Sequence, residues 1–284
     1  MRSSTIIGII LGFLAILGSF LWEGGSMSIL FLLPAITIVI GGTLAAGIIG
    51  SSFSMMAKIP QLFILTVTHK EYDWETILDS IIKIATQTRK LGLLSIEESV
   101  NKIEHPFLKK MLTILIDGID KETLVNVAEF ELQSISQRHK ENISLLTKLG
   151  GYSPTMGIIG TVMGLIGTFT STGGDPNQLI HHIASAFIAT LWGIFMANIV
   201  WLPLADKLKV IDEQEIRLNH FIVNGILSIQ AGDTPSITMM KLAAAFPASK
   251  QENILKRLKR IREQENEEIA SQQQSEVLAY NGSK

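Results

Sequence analysis

The chain contains no cysteine. That single absence excludes a disulfide framework, a thiolate metal site and a cysteine nucleophile. Aromatic residues make up only 7% of the 284 positions, and charged residues 18%. The charges are also unevenly placed. Four long stretches, Thr5–Trp22, Met27–Gly50, Tyr152–Thr172 and His181–Ala205, hold no Asp, Glu, Lys or Arg. An ordinary soluble domain spreads its charges, so this pattern excludes one. A net charge of −2 argues against a nucleic-acid partner. No P-loop, metal-ligand spacing or nucleophile–base–acid set is present, which leaves an enzyme without support.

What the chain does have is apolar length. Hydrophobic residues account for 47% of it. About 20 apolar residues in a helix cross a hydrocarbon core about 30 Å thick, so each of the four stretches predicts a membrane span. Arg2 ahead of the first stretch imitates a secretory signal, but no small-x-small cleavage site follows. A short "EGGS" turn leads straight into the second stretch instead, which predicts a retained helical hairpin. The loops "WEGGSM" and "STGGDPNQLIHH" carry no Lys or Arg, whereas Ser51–Gly151 carries twelve. The positive-inside rule then places the large segments and both termini in the cytoplasm.

Outside the spans, Ile77, Ile81 and Ile84, and later Leu124, Val127, Leu132 and Ile135, recur at helical spacing. The expected fold is an all-α integral membrane protein: four transmembrane helices with a helical cytoplasmic domain, the third and fourth helices extending into the cytoplasm as rigid links. The expected parts are a hairpin at 1–50, a cytoplasmic helical domain at 51–151, spans three and four at 152–207, and a helical extension with a flexible tail at 208–284. Leu208, Ile211, Leu218, Ile222, Ile226 and Ile229 carry the stripe of that extension. The last thirty or so residues mix charge with glutamine, a composition that predicts fraying.

The third span has an odd composition. "SPTMGIIGTVMGLIGTF" places Gly157, Thr161, Gly164 and Thr168 at spacings of 4, 3 and 4, with Gly160, Gly167 and Ser171 beside them. The fourth span repeats the device with Ala186, Thr190, Gly193 and Ala197. Small residues let membrane helices approach closely, and Gly160 with Gly164 forms a GxxxG. Two readings stay open from pattern alone: tight packing of helices, or a wall for a partner's helix or an ion path. Ion-coupled transport ordinarily uses an ionisable group inside the membrane, and this chain has none at depth. Any carboxylate must then come from another subunit, while hydroxyls of Thr161 and Thr190 and carbonyls freed near Pro154 and Pro203 offer oxygen ligands.

The two-plus-two layout, "RKLGLLSIEE" in the cytoplasm, "SPTMGIIGTVMGLI" in the third span and "AFIATLWGIFMANIVWLPLADKLK" in the fourth together resemble the MotA/PomA family. These are the larger subunits of the bacterial flagellar stator. The resemblance implies a multi-pass protein of the bacterial inner membrane, a homo-pentamer in the lipid bilayer around a dimer of a single-span MotB/PomB-type partner. That partner supplies the membrane aspartate and a peptidoglycan-binding domain. Ion flow would turn the ring and drive the rotor protein FliG, with no cofactor and no permanently bound metal. Carried over by position, Pro154 and Pro203 match the coupling prolines and Thr190 the threonine near the ion site. Gly193 joins these in the ion pathway. Gly157, Gly160, Gly164, Gly167, Ala186 and Ala197 would pack on the partner's helices. Arg89, Lys90, Glu97 and Glu98 match the rotor-contact charges, although such charges alone read as an ordinary solvated face. Thr161 and Asn198 favour transient Na+ over H+. The alternative is an ExbB/TolQ-type energiser of outer-membrane processes; the N-terminal hairpin and the Arg89/Glu97 motif count against it. A membrane scaffold without ion flow is a further alternative, in which Thr161 and Thr190 would tolerate alanine.

Overall fold

A computed structural model describes residues 2–70, 72–170 and 176–263. Ser171 and the tail from 264 onward, about which the sequence raises expectations, lie outside the described residues. Every regular element among the described residues is helical. Four helical stretches are long and apolar enough to cross a membrane. The chain divides into two compact units, Met1–Lys70 with Ile135–Glu213, and Glu71–Ser134 with Gln214–Lys284.

The first unit holds the spans. The first, α1 (Arg2–Trp22), is apolar all round. The second is assembled from pieces: α2 (Met27–Leu30), α3 (Leu33–Ile36), a π-helical turn at Thr37–Gly41 and α4 (Gly42–Gly50). Two short helices follow, α5 (Phe53–Met56) and α6 (Ile59–Thr68). The break between α2 and α3 has a cause in the sequence. Pro34 has no N–H, so a helix through it would leave the Leu30 carbonyl without its donor.

Elements α7 (Trp74–Leu91), α8 (Glu97–Asn101) and α9 (Pro106–Ile116) belong to the second unit. Asp73 caps α7, accepting from the Thr76 N–H at 3.1 Å. Ile77, Ile81 and Ile84 are buried, as the spacing predicts. His105 caps α9 through its ring, Nδ1 accepting from the Leu108 N–H at 3.3 Å. Burial pushes the His105 imidazolium down to about 4.

The long helix α10 (Lys121–Thr170) contains the third span and runs through Pro154 without a break. Its hydroxyl residues bond to nearby carbonyls around that proline: Ser153 Oγ donates to Leu149 O at 3.0 Å and Thr155 Oγ1 to Tyr152 O at 2.7 Å. The fourth span begins as α11 (Pro176–Phe195), widens into a π-helical turn at Met196–Trp201, and continues as α12 (Leu202–Gln230). The wide turn stands immediately ahead of Pro203, where the α-helical ladder lacks a donor. In the second unit α13 (Pro235–Ala243) and helical residues 248–263 complete the fold. Lys250 pairs with Glu75 at 2.6 Å, and Arg257 pairs with Asp79.

Two apolar clusters hold the first unit together. One gathers Leu145, Leu146, Leu149, Trp201, Leu204 and Leu208 with Met56 and Leu62. The other gathers Leu30, Ala35, Val39, Ile188 and Ala189. Burying an aliphatic side chain contributes about 1.5–3 kcal/mol against water. Inside a bilayer that driving force is absent, so the close-packed seam between the third and fourth spans matters more.

Candidate functional site

Glycine sets the distance between these two spans. A Cβ on Gly193 would lie 2.7 Å from the Ser153 carbonyl oxygen and 3.0 Å from Gly157 Cα. A Cβ on Gly157 would meet Ala189 O at 2.9 Å and Thr190 Cα at 3.2 Å. The two backbones therefore touch at Gly157 and Gly193. Further along the seam Gly160 faces the Ala189 methyl and Gly164 faces the Ala186 methyl and His182 O. Gly167 faces the His182 ring. Ala186 and Ala197 are buried.

Of the two readings of this face, packing within the chain is present in the geometry. Gly157, Gly160, Gly164, Gly167 and Ala186 turn towards the chain's own fourth or third span, and Gly164 and Gly167 stay half-exposed there. A spacing of 4, 3 and 4 names a helix face but not each neighbour that fills it. The bulky side chains Ile159, Val162, Met163, Ile166, Phe187 and Ile194 lie on exposed faces instead.

Close approach brings Thr161 and Thr190 together. Their hydroxyls share a short hydrogen bond. Thr161 Oγ1 also stands 3.1 Å from both Gly157 O and Ala186 O. Two hydroxyl oxygens and two carbonyl oxygens are thus gathered at one point inside the spans. Both threonines are half-buried, so the cluster has an open side. Such a set offers hard, neutral oxygen ligands and no charge of its own. Among the described residues no group of three or more His, Asp or Glu is arranged to hold a metal ion.

The other site residues are dispersed. Asn198 is exposed, and its Nδ2 donates to Ile194 O at 2.9 Å, apart from the threonine pair. Pro203 is exposed and Pro154 half-buried. In the second unit Arg89 and Lys90 end α7, and Glu97 and Glu98 begin α8. All four are exposed, and Glu98 pairs with Lys102 at 2.7 Å.

Three features escape sequence reasoning. Trp192 Nε1 donates to Leu30 O at 2.7 Å, supplying the donor that Pro34 withholds. A proline in one span and a donor-only indole in another are the signal for it. Thr43 Oγ1 and Ser153 Oγ meet at 3.2 Å, joining the second and third spans through buried hydroxyls. The π-helical turns at Thr37–Gly41 and Met196–Trp201 have no periodic signature, although a proline lies within a few residues of each.

Four membrane-length helices, two of them packed backbone to backbone, define a helical membrane protein, and the comparisons place it among channel-family proteins. Residues 99–219 match the MotA/TolQ/ExbB proton channel family, and residues 6–92 match the family described as Motility protein A N-terminal. The chain is 34% identical to motility protein A of Bacillus subtilis over 249 residues, covering 87% of this chain and 92% of that protein. It is 27% identical to chemotaxis protein PomA of Vibrio alginolyticus, covering 84% and 92%. The fold superposes on the flagellar MotAB stator complex of Bacillus subtilis with a TM-score of 0.82 at 32% identity, covering 88% of this chain and 98% of that one. On C. jejuni MotAB the TM-score is 0.81 at 26% identity, covering 87% and 97%. The chain belongs to the motility protein A family.

Proposed function

We propose that this chain is the ion-conducting, torque-generating subunit of a flagellar stator in the bacterial cytoplasmic membrane. The observation that carries the reading is the half-buried Thr161–Thr190 cluster, which offers oxygen ligands between two membrane spans that hold no Asp, Glu, Lys or Arg at that depth. A carboxylate from a MotB/PomB-type single-span partner completes it. The similarity to solved MotAB complexes supports such a partner. Copies of the chain form a ring, a pentamer around a partner dimer, and the Arg89/Lys90 and Glu97/Glu98 turn meets FliG on the cytoplasmic side. No cofactor takes part beyond the ion itself. The match of residues 6–92 to the Motility protein A N-terminal family favours this reading over an ExbB/TolQ-type energiser.

Sodium is the favoured ion. A second hydroxyl beside the partner's carboxylate adds a ligand that a metal cation uses and a proton does not. One charge falling through 100 mV releases about 2.3 kcal/mol, a quantum suited to many small, equivalent steps of a ring. The test combines Thr190→Ala with an ion-replacement series, in cells carrying the matched partner. Thr190→Ala should abolish swimming while the complex still assembles. Wild-type speed should rise with external sodium and survive a protonophore at alkaline pH. Normal swimming of Thr190→Ala removes the cluster from the ion path. Speed that follows the proton gradient in sodium-free medium overturns the choice of ion.

A further inference from the structure

The turn between α7 and α8 displays more than charge. Leu91 is 73% exposed and Leu94 76%, on either side of Gly92, which takes a φ of +82°. Scattered exposed leucines are ordinary. These two differ in standing at the tip of a turn that is held in place. Gln87 Nε2 donates to Ser95 O at 2.6 Å, and Ser99 Oγ donates to Gln87 Oε1 at 2.8 Å. Ser95 Oγ closes the turn on Gly92 O at 2.7 Å. Beneath it Ile96 is fully buried and Val100 nearly so. The chain therefore spends one side chain, Gln87, on bridging α7, the turn and α8, and so fixes two leucines towards solvent.

Arg89 and Lys90 precede the turn and Glu97 and Glu98 follow it. An apolar centre between flanks of opposite charge is the layout of a protein-binding patch, with a dry middle and a polar rim. We infer that Leu91 and Leu94 form the apolar centre of the rotor contact, seated in an apolar crease of the rotor protein that has acid on its Arg89 side and base on its Glu97 side. This rests on the reading that the turn meets the rotor. The charges set orientation and encounter, and they are screened by salt. The leucines give a grip that salt does not weaken. Preorganisation by Gln87 spares the ordering cost of a loose loop at every engagement.

The test measures stall torque of bead-loaded motors for the Leu91→Ser/Leu94→Ser pair, the Leu91→Met/Leu94→Met pair and Arg89→Glu. The melting temperature of each purified complex is measured alongside. The serine pair should lose roughly half or more of the stall torque, since it removes the apolar burial. The methionine pair should keep it, and melting should not change. Full torque in the serine pair with loss in Arg89→Glu overturns the apolar centre and leaves a purely electrostatic contact. Full torque in both overturns the rotor reading itself. A serine pair that melts early or fails to assemble overturns the inference in another way, by giving the leucines to packing between copies of the chain.

Discussion

Replacing Gly193 by alanine adds one methyl group at the point where the third and fourth spans touch. That methyl would lie 2.7 Å from Ser153 O and 3.0 Å from Gly157 Cα, and both atoms are backbone, which no rotamer change can move aside. Ordinary contact begins near 3.4 Å, so the helices must part by about 0.7 Å there. Overpacking of this kind costs about 1–3 kcal/mol. Parting also draws Thr190 away from Thr161, so the oxygen cluster opens. Gly18→Ala is the control, because a Cβ there meets nothing within 4 Å. In a helix interior alanine is worth about 0.5–1 kcal/mol over glycine, so the control should melt no lower than wild type. Thermal unfolding of the purified complex and swimming speed at saturating ion concentration check both effects. Gly193→Ala should melt several degrees lower and swim slowly or not at all. If it melts with the control and swims at full speed, the seam does not set the geometry of the threonine pair.

Two further outcomes follow from the geometry. His105 must be neutral to cap α9 from its buried position, and its folded value of about 4 lies below the ordinary 6.5. The unfolded chain then binds the extra proton, so this stability is complete above pH 6.5 and is lost as pH falls towards 4. At about 1.36 kcal/mol per pH unit the loss is on the order of 3 kcal/mol. His105→Asn, which keeps a capping acceptor, should flatten the difference in denaturant midpoint between pH 7 and pH 4.5 relative to wild type; an unchanged difference refutes the role. Trp192→Phe should destabilise the complex by about 1–3 kcal/mol, because the buried Leu30 carbonyl loses its donor. An unaltered melting temperature would show that another donor replaces it.

Composition alone locates the spans. Charge-free runs of the right length have one physical explanation, and Thr5–Trp22 and Met27–Gly50 reappear in the structure with those bounds. Periodicity likewise finds the buried sides of α7 and of the helix after Pro203, where Leu208, Ile211, Leu218, Ile222, Ile226 and Ile229 are all buried. Ordinary spacing rules fail at the seam for a definite reason. Gly157 and Gly164 announce a close approach, but a glycine has no side chain to identify what approaches. Thr161 and Thr190 are individually unremarkable, and only the crossing of two helices makes them a pair. The charges Arg89, Lys90, Glu97 and Glu98 are visible as a motif, whereas the Gln87 clamp depends on a turn whose shape no periodic pattern encodes. The π-helical turns are hidden for the same reason, since they shift a hydrogen-bond register without changing which residues are apolar.

The bond from Trp192 to the Leu30 carbonyl has an evolutionary consequence. Leu30, Pro34 and Trp192 form one arrangement although they stand in two different spans. A lineage that exchanged Pro34 for alanine would return an N–H to the Leu30 carbonyl and let the second span close into a continuous helix. The indole and the new N–H would then share the two lone pairs of one carbonyl oxygen. The worth of an indole at position 192 is thus contingent on a proline at position 34, since only then is it the replacement donor. Replacement of the indole is expected to be tolerated more readily once position 34 has an N–H of its own.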